Sequence, residues 1–243
     1  MYEDFFSRNH TVSLQISGGK DSIATLHWMR DWWSKVIVMW VNTGDAFPET
    51  VAQMREVRRT VPHFLEITSE QPRDIEDNGP PSDLLSSWDM PLGRQFEGGR
   101  DFKVQTPFSC CANNIWFPMA GACLRLGVTG IIRGQRKQER RKSPVTSGFV
   151  DGQFEYLFPI EDWTEGEVWA YLNEQNATAG LDHYRHFNSS LDCQRCTAYW
   201  DKGKMRYLSA FHPETHLDVL KRLRYIERSV ETEMRNLREL LRN

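Results

Sequence analysis

Three groups of residues in this 243-residue chain have types and spacings that could do chemistry. The first is Ser17-Gly18-Gly19-Lys20-Asp21-Ser22. Two consecutive glycines let backbone N–H groups approach an anion with no side chain in the way, Ser17 and Ser22 add hydroxyl donors, and Lys20 adds positive charge. Phosphate suits such a loop. The spacing is not that of a Walker loop, because Gly-x4-Gly-Lys is absent. The second group is the pairs Cys110-Cys111 and Cys193-Gln194-Arg195-Cys196. Four thiolates make a tetrahedral zinc site or hold an iron-sulfur cluster, although adjacent cysteines diverge and suit a single zinc poorly. The fifth cysteine, Cys123, lies in the small-residue run Ala120-Gly121-Ala122 and reads as a buried core thiol. The third group is basic: Arg133, Arg136, Lys137, Arg140, Arg141 and Lys142. Such a run grips nucleotide phosphates or follows a nucleic-acid backbone, and both readings stand. His183 and His186, just ahead of the Cys-x-x-Cys knuckle, could act as acid or base beside those cysteines, but the preferred expectation places them at the surface.

These residues need elements to hold them. Val12 to Ile16 alternates apolar and polar, and Ser22 to Trp33 carries Ile23, Leu26, Met29 and Trp33 at helical spacing, so the glycine loop joins a strand to a helix. Val36 to Val41 is a continuous apolar run, as expected of a strand covered on both faces of a parallel sheet. It ends at Asn42-Thr43-Gly44-Asp45. A helix over 50–59, a strand over 64–67, a helix over 116–126 and strands over 129–132 and 156–160 follow. The next helix starts after Thr164, with Glu167 three residues on as in a capping box. Alternating strands and helices predict an α/β fold with a doubly wound, mainly parallel sheet. Residues 71–100, rich in Pro, Gly, Ser and Asp, are expected to form an irregular excursion. From Pro213 on, Leu220, Leu223, Ile226, Val230, Met234, Leu237 and Leu241 fall on one stripe of a long C-terminal helix, which packs on the domain or pairs with a second copy as a homodimer. The expected organisation is a nucleotide-binding domain over 1–211 followed by the helix over 212–243.

Composition narrows the function classes. A formal charge of −3 gives no global attraction to nucleic acid, and no stretch is apolar enough to span a bilayer. The start lacks the basic-then-apolar pattern of a secretory signal, which predicts a cytoplasmic protein with reduced thiols.

The string Ser17 to Ser22 resembles the PP-loop of the adenine nucleotide alpha-hydrolase superfamily. Asn42 to Thr50 is similar to that superfamily's second-strand segment. Gly134-Gln135-Arg136-Lys137 resembles its basic Gly-x-Arg-Arg segment, with Lys137 in place of an arginine, and Pro159 to Thr164 with Val168-Trp169 its penultimate strand and helix. Together they resemble the phosphoadenylyl sulfate reductase family over about residues 10–210. The resemblance implies an adenine-nucleotide enzyme in sulfur chemistry. ATP or adenylyl sulfate would be bound by Ser17, Gly18, Gly19, Lys20, Asp21, Ser22, Thr43, Gly44, Gly134, Arg136 and Lys137, with Lys20, Asp21 and Arg136 in catalytic roles. Mg²⁺ would be held by Asp21 or Asp45. It further implies a four-iron four-sulfur cluster on Cys110, Cys111, Cys193 and Cys196, to which the charges of Lys20, Arg136 and Arg195 would couple the substrate. The family's reductases attack sulfate with a cysteine in a C-terminal Glu-Cys-Gly-x-His segment, and this chain has no cysteine after Cys196. Adenylylation of a substrate, nucleic acid among the candidates, followed by sulfur transfer from a donor protein is therefore the first reading. Reduction of adenylyl sulfate or its 3′-phosphate with thioredoxin or another outside thiol is the second, and a nucleotide-binding regulator the third.

Overall fold

The structure is a computed structural model and describes residues 2–82, 103–139, 144–199 and 201–242. These form two compact units. One comprises Met1–Asn42, Ala46–Thr68 and Pro118–Asp192; the other comprises Thr43–Asp45, Ser69–Phe117 and Cys193–Asn243.

The first unit holds a six-stranded sheet in the order β3-β2-β1-β4-β6-β5, with β1 Val12–Gln15, β2 Val36–Asn42, β3 Phe64–Thr68, β4 Gly130–Arg133, β5 Val150–Asp151 and β6 Phe154–Leu157. All pairings are parallel except that of the edge strand β5 with β6. The doubly wound expectation is met, and β2 shows why. Val36, Val38 and Trp40 enter one hydrophobic core, while Ile37, Met39 and Val41 pack with the other, so the continuous apolar run is two interleaved faces of one buried strand. The first core is closed by α1 Tyr2–Arg8 (Phe5), α2 Lys20–Trp28 (Ile23, Ala24, Leu26), α3 Pro48–Thr60 (Met54, Val57) and a helix over Glu165–Glu174 (Val168, Leu172). The second is closed by a helix over Phe117–Arg125 through Met119, Ala122 and Cys123. Cys123 has no exposed surface, and burial raises its thiol pKa. The capping box predicted at Thr164 is present: its hydroxyl accepts from Glu167 N at 3.2 Å, and the Glu167 carboxylate accepts from Thr164 N at 2.7 Å.

The second unit is helical. It contains α4 Gln71–Asn78, α5 Pro107–Cys111, a π-helical turn Ala112–Trp116, α8 Lys202–Phe211 and α9 Pro213–Leu240; the helices over Phe117–Arg125 and Glu165–Glu174 are α6 and α7 of the first unit. Where composition predicted an irregular start to the excursion, Gln71–Asn78 is helical: Ile75 and Gln71 turn inward and Pro72 occupies the first turn, where its missing N–H costs nothing. The remainder of that excursion, from 83 on, lies outside the described residues. The helix predicted over 22–33 stops at Trp28 and continues as a 3₁₀ segment Arg30–Lys35, because Trp33 turns its indole N–H back onto Leu26 O at 2.8 Å. The strand placed at 156–160 runs over Phe154–Leu157 instead. Among the described residues, no helix is long and apolar enough to cross a membrane.

Candidate functional site

In the first unit, β1 and β4 are adjacent parallel strands, so the chain leaves both at the same edge of the sheet. From β1 it turns through residues 16–19 into α2; from β4 it runs through Gly134 to Arg136. Connections depart in opposite directions on either side of β1, and this is where open α/β sheets form a ligand crevice. Gly18 has a φ of +88°, and a side chain there would meet Gln53 Oε1 at 2.8 Å, so glycine is required twice over. Gly19, the cap residue of α2, has no side chain to bond the helix's first N–H groups, and an end of this kind suits an anion. Ser22 Oγ accepts from Gly18 N at 3.2 Å and from Ser17 N at 3.3 Å, and donates to Gly19 O at 2.9 Å. The loop is therefore held in shape by its own serine.

Three side chains project the charge. Asp21 sits between two cations, with Oδ2 3.0 Å from Lys20 Nζ and Oδ1 2.6 Å from Arg136 Nε. Lys20 and Arg136 are buried, at 7 % and 5 % exposure. A carboxylate shared in this way fixes both cations side by side without neutralising the pair. Gly134 makes the approach of Arg136 feasible: a Cβ there would lie 2.6 Å from the Asp21 carbonyl carbon and 2.8 Å from Ser22 N.

Sequence reasoning missed three members of this constellation, all brought in by tertiary structure. Tyr184 Oη accepts from Lys20 N at 3.3 Å, its ring lies 5.5 Å from Lys20 Nζ, and burial raises its phenol pKa. Glu165 reaches within 3.7 Å of Lys20 Nζ. Glu139 accepts from Arg136 N at 3.0 Å, and burial together with the negative charge of Asp21 raises its pKa. The nearest signal in the sequence is the closeness of Glu139 to Arg136. Lys137, expected among the nucleotide ligands, is exposed and pairs with Asp162 at 2.6 Å. Arg140, Arg141 and Lys142 lie outside the described residues.

His183, expected at the surface, is 3 % exposed and packs between Tyr184 and Phe187; burial lowers its pKa. His186 is exposed as expected.

The second unit gathers all four paired cysteines together with Thr43 and Gly44. Thr43 Oγ1 is 3.4 Å from Cys193 Sγ. Asp45, a candidate for Mg²⁺ by residue type, is committed elsewhere: Oδ1 accepts from Arg195 Nη1 at 2.6 Å and from Gln194 Nε2 at 3.3 Å, and Oδ2 accepts from Arg195 N at 3.0 Å. Arg195, expected to couple cluster charge to the substrate, is held by Asp45 and, through Nε at 3.2 Å, by Asp218 on α9. Arg222 Nη1 donates to Arg195 O at 2.8 Å. The carboxylate of Asp45 and the first turns of α9 thus splint the Cys193–Cys196 knuckle.

None of the five cysteines is in a disulfide. Cys110 is buried, which pushes its thiol up to about 12, with further contributions from Cys111, Cys196 and Asp74. Gln71 and Asn114 each direct an amide N–H at its sulfur from 3.9 Å. Asn114 also donates to Asp74 at 3.0 Å from within the π-helical turn, which locks that turn to α4. Thiols within electrostatic reach of one another, with amide donors on sulfur, fit a soft metal or a sulfide cluster in chemistry. In geometry, no group of three His, Cys, Asp or Glu converges to metal distance among the described residues.

A mainly parallel sheet with a glycine-rich loop and two buried cations at its switch point defines an α/β protein of the adenine nucleotide alpha-hydrolase-like class. The chain belongs to the family described as the phosphoadenosine phosphosulfate reductase domain, whose model matches residues 11–199. It is 26 % identical over 200 residues to sulfate adenylyltransferase subunit 2 of Streptomyces lavendulae, an alignment that covers 70 % of this chain and 55 % of the relative. The chain thus spans about half the length of that curated relative. Among solved structures it resembles phosphoadenylyl-sulfate reductase from Candida auris in a phosphate complex, with a TM-score of 0.52 and 16 % identity over 75 % of this chain and 81 % of that one. At that identity the likeness concerns the fold.

Proposed function

We propose that this chain is an adenine-nucleotide enzyme that activates a substrate by adenylylation for sulfur transfer. The observation that carries the reading is the buried Lys20–Asp21–Arg136 arrangement at the glycine-led first turn of α2. When ATP lies in the crevice, an oxygen of the acceptor attacks the α phosphorus, the bond to the bridging oxygen breaks, and pyrophosphate leaves. Lys20 and Arg136 neutralise the charge that develops on the phosphates, and the amide groups of residues 18–22 orient them. Ser22 keeps the loop in register and Tyr184 holds Lys20 N. Asp21 sets the spacing of the cations; with both of its oxygens on Lys20 and Arg136, and both oxygens of Asp45 engaged as well, either carboxylate would have to give up a cation to take Mg²⁺.

Cys110, Cys111, Cys193 and Cys196 are the residues that would hold a four-iron four-sulfur cluster, supported by their membership of one unit and by the amide donors on Cys110. Such a group supplies a sulfur-binding or electron-transfer centre. The reductase reading requires an accessible protein thiol or an outside one, and Cys123 is buried, so it would depend on a partner such as thioredoxin.

Anaerobically purified protein assayed for pyrophosphate release from ATP, and for sulfite release from adenylyl sulfate with thioredoxin, separates the readings. Pyrophosphate release with candidate acceptors, lost in Lys20→Ala, is expected; sulfite release without pyrophosphate overturns it. Iron and acid-labile sulfide in a one-to-one ratio, with visible absorbance, are expected of the cysteine quartet; zinc alone would refute the cluster.

A further inference from the structure

The 28-residue helix α9 is about 42 Å long, whereas α8, which packs against it, has 10 residues and spans about 15 Å. One face of α9 is satisfied within the unit: Thr215, Val219 and Ile226 are buried. Beside it runs a second face whose residues are half-buried or exposed among the described residues. Leu220, Leu223, Glu227, Val230 and Met234 recur at the three- and four-residue steps of a heptad seam, and Leu241 follows one heptad later, just past the end of α9. The first five line a groove of about 1270 Å³ whose other wall comes from α8 and from Cys196, Thr197 and Ala198. Met234 is 39 % exposed and Leu241 77 %.

We propose that this groove receives α9 of a second copy of the chain, antiparallel, to form a two-fold symmetric dimer. Two features of the seam select a like helix. The first is its heptad spacing, which runs on well past the end of α8 and matches another helix of the same repeat. The second is charge. In the antiparallel register that sets Leu223 against Met234 of the second copy, symmetry sets Met234 against the other Leu223. Glu227 then lies beside Val230, and Arg224 comes opposite Glu231, twice. An isologous interface requires this kind of self-complementarity. A parallel pairing would bring Arg224 beside Val219 and Glu231 beside Ile226, so that these two charges no longer meet. Glu227 is a charged residue on an otherwise apolar stripe, and a polar residue at such a position fixes register at a cost in affinity. Because the groove wall includes Cys196, the second helix also covers one side of the cysteine knuckle.

The full chain is examined by sedimentation equilibrium over a range of concentrations, with helical content followed by circular dichroism. A dimer is expected. Met234→Glu should raise its dissociation constant at least tenfold with helicity retained, and Val230→Glu, a second variant in case the first misfolds, should do the same. Glu227→Leu should tighten the dimer. Arg224→Glu should weaken it, and the double exchange Arg224→Glu with Glu231→Arg should restore it. Alkylation of Cys196 by iodoacetamide should be faster in the monomeric variants than in the parent. A parent that remains monomeric at every concentration, or a dimer indifferent to both glutamate variants, overturns the proposal. A dimer weakened by Met234→Glu but not restored by the charge exchange overturns the antiparallel register.

Discussion

Alanine at Gly134 tests whether the phosphate loop is set by the close approach of two backbone segments. The added Cβ would stand 2.6 Å from the Asp21 carbonyl carbon and 2.8 Å from Ser22 N, with Asp21 O nearer still. Carbon contacts become comfortable only near 3.5 Å, so the first turn of α2 and the end of β4 must part by about 0.8 Å. Both are backbone and cannot swing aside as a side chain would. Overpacking of this kind costs about 1–3 kcal/mol of stability. The same displacement separates Arg136 from Asp21 and turns the amide groups of residues 20–22, so nucleotide affinity should fall about 10–100-fold, or roughly 1.4–2.7 kcal/mol. Gly166 is the matched control. It lies in α7, and an added Cβ meets only Thr164 Oγ1, at 3.9 Å. Alanine there should stabilise the protein by about 0.5–1 kcal/mol through helix propensity and leave binding unchanged. Urea unfolding and calorimetric titration with a non-hydrolysable ATP analogue measure both quantities. A folded Gly134→Ala protein with the parent's affinity would refute the reasoning.

Thr164→Ala removes the hydroxyl that caps α7 and should cost about 1 kcal/mol in urea unfolding while nucleotide affinity stays within twofold. Burial lowers the pKa of His183 below its unfolded value of about 6.5, so the unfolded state binds the extra proton first. Its contribution to stability is complete above about pH 6.5 and is lost as pH falls toward the lowered value, by at most about 1.4 kcal/mol per pH unit. Urea midpoints of the parent and His183→Leu, compared from pH 8 to 5, should show the steeper acid decline in the parent; parallel curves would rule it out. Asp45→Asn loosens the hold on Arg195 and should raise the alkylation rates of Cys193 and Cys196 severalfold without altering ATP affinity, and unchanged rates would show that the knuckle holds its shape without that carboxylate.

The phosphate loop was legible because its residues are contiguous and its flanking strand and helix carry clear periodicities. Arg136 was legible as one of a run of cations and through resemblance, but its place beside Asp21, 115 positions away, was not, since nothing in the residues announces that β4 pairs with β1. Tyr184 and Glu165 escaped notice for the same reason, whereas Glu139, three residues from Arg136, reads by type alone as one more charge in a polar stretch. Asp45 shows how residue type misleads: a carboxylate after a strand suggests a metal, yet its oxygens are consumed by Arg195 and Gln194 from far along the sequence. His183 was read as exposed because its neighbours Asp182 and Arg185 are, whereas a 3₁₀ turn directs its ring inward between aromatic residues. The helix at Gln71–Asn78 has one buried apolar side chain, too little periodicity to stand out from a polar stretch.

The bond from Arg195 to Asp45 joins residues 150 positions apart. During synthesis at about 5–20 residues per second, Asp45 leaves the ribosome roughly 8–30 s before its partner has been made. The unit that carries the cysteines is assembled from three separate stretches of chain, the last of which begins at Cys193. It therefore matures in steps. Until that last stretch has been made, Cys110 and Cys111 wait in a nascent chain that lacks Cys193 and Cys196, a period in which their thiols are open to oxidants and to stray metal ions.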